Sequence, residues 1–197
     1  METSSRPLAS LAVDAIRWPA EEAVIRRVAA GLLLVALAFP LAATAAPPLE
    51  PEDFRCILDG TKAEGKNFYI FHRNRRKLAR AIRMTATGKL PKAGYPTGTI
   101  LQLFPFEAMV KRPKRFNREG NGWEFVKLNI TPDGRTEIVQ TGKGEVANRF
   151  GSCQGCHANL APAHDLVCEF VQGTSGLGLT DEQVALIQSL DPRCAAR

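Results

Sequence analysis

The chain has 197 residues and a formal net charge of +6, with 45% hydrophobic, 23% charged and 7% aromatic residues, the balance of one ordinary globular domain. That balance excludes a collagen, a coiled coil and a wholly disordered chain. Five cysteines are too few for a disulfide-dense mini-protein, and a single long apolar run excludes a multi-span membrane protein.

Arg26 and Arg27 precede an apolar stretch from Val28 to Leu41, and Ala43-Thr44-Ala45 follows, the order of a charged region, an apolar region and a small-residue cleavage site. A membrane anchor is the alternative, but the apolar stretch has about 14 residues against the roughly 20 a bilayer requires, and Pro40 interrupts its end. Residues 1–46 therefore read as an N-terminal leader and secretory signal peptide cut near Ala45 or Ala46, and residues 47–197 as a periplasmic or otherwise exported domain. The mixed polar leader over residues 1–23 has no periodicity and points to a true start nearer Val24. Cleavage removes Arg6, Arg17, Arg26 and Arg27 together with Glu2, Asp14, Glu21 and Glu22, so the mature domain keeps +6. Export excludes nucleic acid as a partner and leaves no stable membrane span. The charge suits an acidic redox protein, a small anion or a membrane surface.

In the mature chain, residues 47–51 form a Pro-rich lead-in expected to be extended and mobile, before the apolar segment Phe54 to Leu58. Residues 67–71 have strand composition, and Arg73 to Met84 reads as a helix with Leu78, Ala81 and Ile82 at helical spacing. Gly88 to Gly98 is a loop, Thr99 to Phe104 a strand ended by Pro105, and Met109 falls in the loop beyond, ahead of a second basic cluster from Lys111 to Arg118. Trp123 to Ile130 and Arg135 to Thr141 form a hairpin about Thr131-Pro132-Asp133-Gly134. Thr180 with Gln183 makes a capping box for a C-terminal helix that places Val184, Ile187 and Leu190 on one face and stops at Pro192.

Residues 153–157 read Cys-Gln-Gly-Cys-His, the spacing of covalent c-type haem attachment. The Cys153 and Cys156 thiols add across the two vinyl groups of one haem edge, which fixes the next residue under the iron, where His157 supplies the proximal bond. The fold class expected is thus α+β, a predominantly antiparallel β-sheet with flanking helices and a C-terminal c-type haem attachment loop. Two other chemistries use these residues. A thioredoxin-type dithiol needs a lowered thiolate pKa and gives the adjacent His157 no role. A zinc site would take Cys153, Cys156, His164 and Cys168.

For a sixth haem ligand the mature chain offers only Met84, Met109, His72 and His164, none well placed, so an open iron is the expectation. Of the cysteines left over, Cys56, Cys168 and Cys194, two can pair in an oxidising compartment. Cys56 with Cys194 would tie the domain's ends, and all three pairings stay open.

Several segments together resemble the cytochrome P-460 family (cytochrome P-460 and cytochrome c′-beta) over about residues 52–172. They are Gly98-Thr99-Ile100, Glu107-Ala108-Met109-Val110-Lys111, Gly122-Trp123-Glu124-Phe125, the run Val146 to Gly151 leading into Cys153, and Asp165-Leu166-Val167. The resemblance implies an antiparallel β fold with helices, one haem c, His157 as proximal ligand, no strong distal protein ligand, and dimers among the relatives. Within that family, cytochrome P-460 oxidises hydroxylamine through a lysine cross-linked to the porphyrin and a distal acid, whereas cytochrome c′-beta binds nitric oxide or carbon monoxide. Here Leu103 stands near where the cross-linking lysine is sought. Lys111 and Lys127 are the remaining candidates for it, and Glu107 and Glu124 for the acid.

Three functions follow as expectations. The first is an open haem that binds small ligands such as nitric oxide in an apolar pocket lined by Phe104 and Phe106. The second is an electron carrier with a sixth ligand such as Met109, docking an acidic partner through residues 73–83 and 111–118. The third is an oxidoreductase acting on hydroxylamine.

Overall fold

The computed structural model describes residues 47–149, 151–173 and 175–195, so the expected leader and signal peptide lie outside the described residues. Six short strands make one antiparallel sheet in the order of the chain: β1 (Thr61–Lys62), β2 (Tyr69–Phe71), β3 (Ile100–Gln102), β4 (Glu107–Lys111), β5 (Trp123–Ile130) and β6 (Thr136–Gly142). The α+β class expected from sequence is what the chain adopts. Helix α1 (Arg75–Thr87) is inserted between β2 and β3. The Asn74 side chain accepts from Lys77 N at 3.1 Å to start it, and Gly88, at φ 62°, ends it three residues later than the sequence suggested.

Strand β4 is a correction, because the segment after Pro105 was expected to be a loop. Its burial alternates: Ala108 and Val110 point to one face, Glu107, Met109 and Lys111 to the other. Charges at both ends of a five-residue strand hide that period. The β5–β6 hairpin forms as expected, with Gly134 at φ 81° in its turn and a register shift at Lys127/Leu128.

Both faces of the sheet are covered. Ile70, Leu101, Trp123 and Phe125 meet Ala81 of α1 and the segment Leu166 to Phe170 on one side. On the other, Phe71, Ile100, Ala108, Val110, Val126 and Leu128 meet Phe54 and Leu49. The Pro-rich lead-in is therefore not a mobile tail: Leu49 packs on this core and Pro51–Asp53 is a 3-10 turn closed by Glu50 and Asp53.

Two further expectations change. Residues 153–157 are not a loop but open helix α2 (Cys153–Leu160), which follows a small hairpin of β7 (Ala147–Asn148) and β8 (Gly151–Ser152). After α3 (Glu169–Gln172), helix α4 (Asp181–Ser189) has its Thr180–Gln183 capping box, but its buried residues are Val184 and Gln188 rather than Leu190, which is 68% exposed. Gln188 Nε2 donates to Asn67 O at 2.7 Å and Leu103 O at 2.8 Å, so a polar residue serves as the helix's anchor. The short α5 (Pro192–Ala195) brings Cys194 to Cys56, which settles the open pairing. Buried Arg193 donates to Phe54 O at 3.0 Å and Pro105 O at 3.1 Å beside it. Among the described residues no helix is long and apolar enough to cross a membrane.

Two outcomes follow. Replacing Cys56 and Cys194 together by Ser should lower unfolding stability by roughly 2–5 kcal/mol in a urea titration, because the bond closes a 138-residue separation. The second concerns Glu169, which is buried with one carboxylate oxygen unpartnered, so desolvation raises its pKa above the ordinary 4.5. A raised folded pKa gives stability that is full below the unfolded value and lost as pH rises through the folded one. The stability of Glu169→Gln relative to the natural chain should therefore grow as pH is raised above about 4.5.

Candidate functional site

Helix α2 is fixed before it begins. Cys153 N donates to Val146 O at 2.9 Å, and the Ser152 hydroxyl accepts from Gly155 N at 3.2 Å while donating to Gly144 O at 2.8 Å. Asn117 Nδ2 reaches Gln154 Oε1 at 2.7 Å and Trp123 O at 2.8 Å, tying the helix to the start of β5. Positions 153, 156 and 157 are spaced i, i+3, i+4, so both thiols and the imidazole share one helix face. Cys153 is half-buried and Cys156 exposed, and neither is in a disulfide.

The His157 ring is held on two sides. Its Nδ1 lies 2.7 Å from Leu166 O, and its ring meets Phe125 edge-on with centroids 5.4 Å apart. Burial lowers its pKa below the ordinary 6.5 against the opposing hydrogen bond, which favours the neutral ring. A neutral imidazole that donates from Nδ1 carries its lone pair on Nε2. Two free thiols and a neutral imidazole nitrogen on one helix face fit the donor set of a c-type haem.

Leu166 O is in turn placed by a left-handed corner: Asp165 and Leu166 have φ 50° and 60°, a conformation that costs roughly 1–2 kcal/mol per non-glycine residue. The Asp165 carboxylate takes Lys111 Nζ at 2.6 and 2.8 Å, Tyr95 N at 2.7 Å and Asn121 Nδ2, while its backbone oxygen takes Trp123 Nε1 at 2.6 Å. Lys111 and Asp165 are 3% and 2% exposed, and the ammonium lies 4.7 Å from the Trp123 ring centroid. Desolvation pulls the Lys111 pKa down against the attraction of Asp165.

These contacts sort the sequence candidates. Lys111 is spent on Asp165, and Glu124 lies on the opposite sheet face, bonded to Arg112 and Thr141. Glu107 and Lys127 remain: they are cross-strand partners, both act electrostatically on Cys153, and Asn148 donates to Glu107 at 3.3 Å. His72 is bonded to Thr97 O and Asn74 N, Met84 is buried in α1, and His164 stacks on Phe170. Phe104 and Phe106 stack on each other at 5.3 Å, with Phe106 exposed.

The two rival chemistries gain nothing. Burial, then Glu107, pushes the Cys153 thiol up, opposite to the activated thiol of a redox dithiol. The group of three potential metal ligands found among the described residues is Cys56, Asp191 and Cys194, two of which are the disulfide; Cys153, Cys156, His164 and Cys168 are not gathered in this way.

Sequence reasoning missed the Asp165 hub, although Asp165 stood in the family-like motif and Lys111 was weighed for another task. The signal was a lysine in the inward register of an alternating strand. No family model, curated protein or solved structure matches this chain.

Lys111→Met leaves the Asp165 carboxylate buried without its counter-charge and should cost roughly 3–5 kcal/mol in chemical denaturation. Replacing both residues by apolar ones of similar volume should recover only part of that loss, because Tyr95 N and Asn121 Nδ2 then lose their acceptor.

Proposed function

We propose that this chain is an exported mono-haem c-type cytochrome, with haem c on Cys153 and Cys156, His157 as axial ligand, and a sixth position open to a small ligand such as nitric oxide. The observation that carries the reading is the shared helix face of two free thiols and an imidazole whose Nδ1 is committed to Leu166 O. When bound, the haem supplies a redox-active iron that takes small diatomic or nitrogenous ligands. The chain's own residues orient His157, pack Phe125 against its ring, and set Glu107 and Lys127 beside Cys153.

Open coordination is supported by the occupations of His72, Met84 and His164 elsewhere. Of the four sequence candidates, Met109 is the one carried by a sheet strand, on the face of Phe125, its neighbour across β4–β5. Hydroxylamine oxidation stays the alternative that Glu107 and Lys127 favour, since an acid and an amine stand together near Cys153.

Electron exchange with an acidic partner has its own support. Arg73, Arg75, Arg76, Lys77, Arg80 and Arg83 are all exposed, and no acid occurs from Arg73 to Thr87. They account for the whole net charge, leaving twenty basic against twenty acidic residues elsewhere. Cations in the first turn of a helix oppose its dipole at roughly 0.3–1 kcal/mol each, a cost an anionic partner relieves. The other expected docking cluster is reduced, because Lys111 and Arg112 are paired internally.

Optical spectra of the holo-protein test the coordination: a high-spin resting spectrum that shifts when nitric oxide is added to the reduced form is expected. A low-spin spectrum indifferent to ligand would replace this reading by the electron carrier, and a ferrous band far to the red would install the cross-linked enzyme. Reversing Arg75, Arg76 and Arg80 to Glu should slow reduction by an acidic redox protein at low salt, with the difference fading as salt is raised.

A further inference from the structure

Resting on the haem reading, we propose that Asp165 is the positioning residue of His157: it holds the left-handed corner that aims the Leu166 carbonyl at Nδ1, with Lys111 as its buried counter-ion. The corner is assembled from three separate stretches of chain. Tyr95 comes from the loop before β3, Lys111 from the end of β4, Asn121 from the β4–β5 turn and Trp123 from the start of β5. All converge on one residue, and between them they occupy both carboxylate oxygens and the backbone oxygen of Asp165.

The backbone on either side is committed as well. Leu166 N donates to Ala161 O at 3.0 Å and Val167 N to His164 O at 3.0 Å. What emerges from this corner is the Leu166 carbonyl, 2.7 Å from His157 Nδ1. Leucine in a left-handed conformation has no local reason to be there, since its side chain gains nothing from that backbone. The placement of its carbonyl is a reason.

The chemical consequence concerns the ring, not the thiols. A donor bond from Nδ1 fixes the tautomer, stops the ring from rotating about its own axis, and increases the basicity of Nε2 toward iron. Ion pairing with Lys111 keeps the corner rigid and neutralises the Asp165 carboxylate. Any Cβ added at Gly94 would clash with the Asp165 carboxylate, so the loop carrying Tyr95 is also shaped to admit this side chain.

The test is Asp165→Asn in the holo-protein, with two readouts that a merely stabilising role would not move. In the ferric cyanide complex, exchange of the His157 Nδ1 proton with solvent should become about tenfold faster, the change expected when one hydrogen bond of ordinary net strength is lost. In the ferrous protein the iron–histidine stretching band should fall and broaden. Asn121→Ala removes one donor from the carboxylate and should shift both readouts the same way by less; it serves where the Asp165→Asn chain fails to fold by circular dichroism. A pyridine haemochrome assay on the natural chain separates the two failures. Without covalent haem the haem reading falls, and nitrogen NMR of the full haem-free chain then decides the positioning through the His157 tautomer, which should be Nδ1–H in the natural chain and mixed in the variant. Folded variants with unchanged proton exchange and an unchanged stretching band, or an unchanged tautomer in the haem-free case, would overturn the proposal.

Discussion

A buried carboxylate is the constraint from which the site's order derives. Asp165 is 2% exposed at its side chain and stands against a lysine that is 3% exposed, and charges taken out of water in this way are tolerated only with full hydrogen bonding and a counter-charge. The requirement draws β4, β5 and the loop ahead of β3 onto the segment that follows α2. It also explains why Trp123 sits where it does: its indole N–H needs an acceptor when buried, and the Asp165 carbonyl provides it at 2.6 Å. The ring then covers the Lys111 ammonium.

The two faces of the sheet divide the work. One packs the N-terminal segment and is sealed by the Cys56–Cys194 bond and Arg193. The other carries α1, α2 and the Asp165 corner. Strand alternation decides which residues belong to which: a shift of one position separates Glu124, bonded to Arg112 and Thr141, from Phe125, which touches His157. The same alternation brings Glu107 and Lys127 to the side of helix α2 and leaves that pair, rather than Lys111 and Glu124, next to Cys153.

What could be read from the sequence was what local chemistry determines. The Thr131–Gly134 turn, the apolar spacing of Leu78, Ala81 and Ile82 in α1 and the Thr180–Gln183 capping box are each written within a few residues. The Cys153–His157 motif is local too, although its backbone is helical and not the loop expected. Long-range facts stayed hidden. Lys111 looked like part of a solvated basic cluster because its partner is 54 positions away. Gln188 was passed over for Leu190 because a glutamine with two distant backbone acceptors has no signature in its own helix. Strand β4 was obscured by Pro105 before it and by charged residues at its ends, and the lead-in by a proline content that suits a 3-10 turn as well as an extended tail.

The central claim is that Cys153 and Cys156 carry one haem, and peptide mass analysis of the protein, purified from a host that attaches haem to exported cytochromes, addresses it directly. Trypsin cuts after Arg149 and Arg193 and releases a peptide with Cys153, Cys156 and Cys168. The account predicts that this peptide bears the mass of one haem and that a thiol reagent modifies one cysteine in it, Cys168. A haem-free peptide with all three thiols open to the reagent would contradict it.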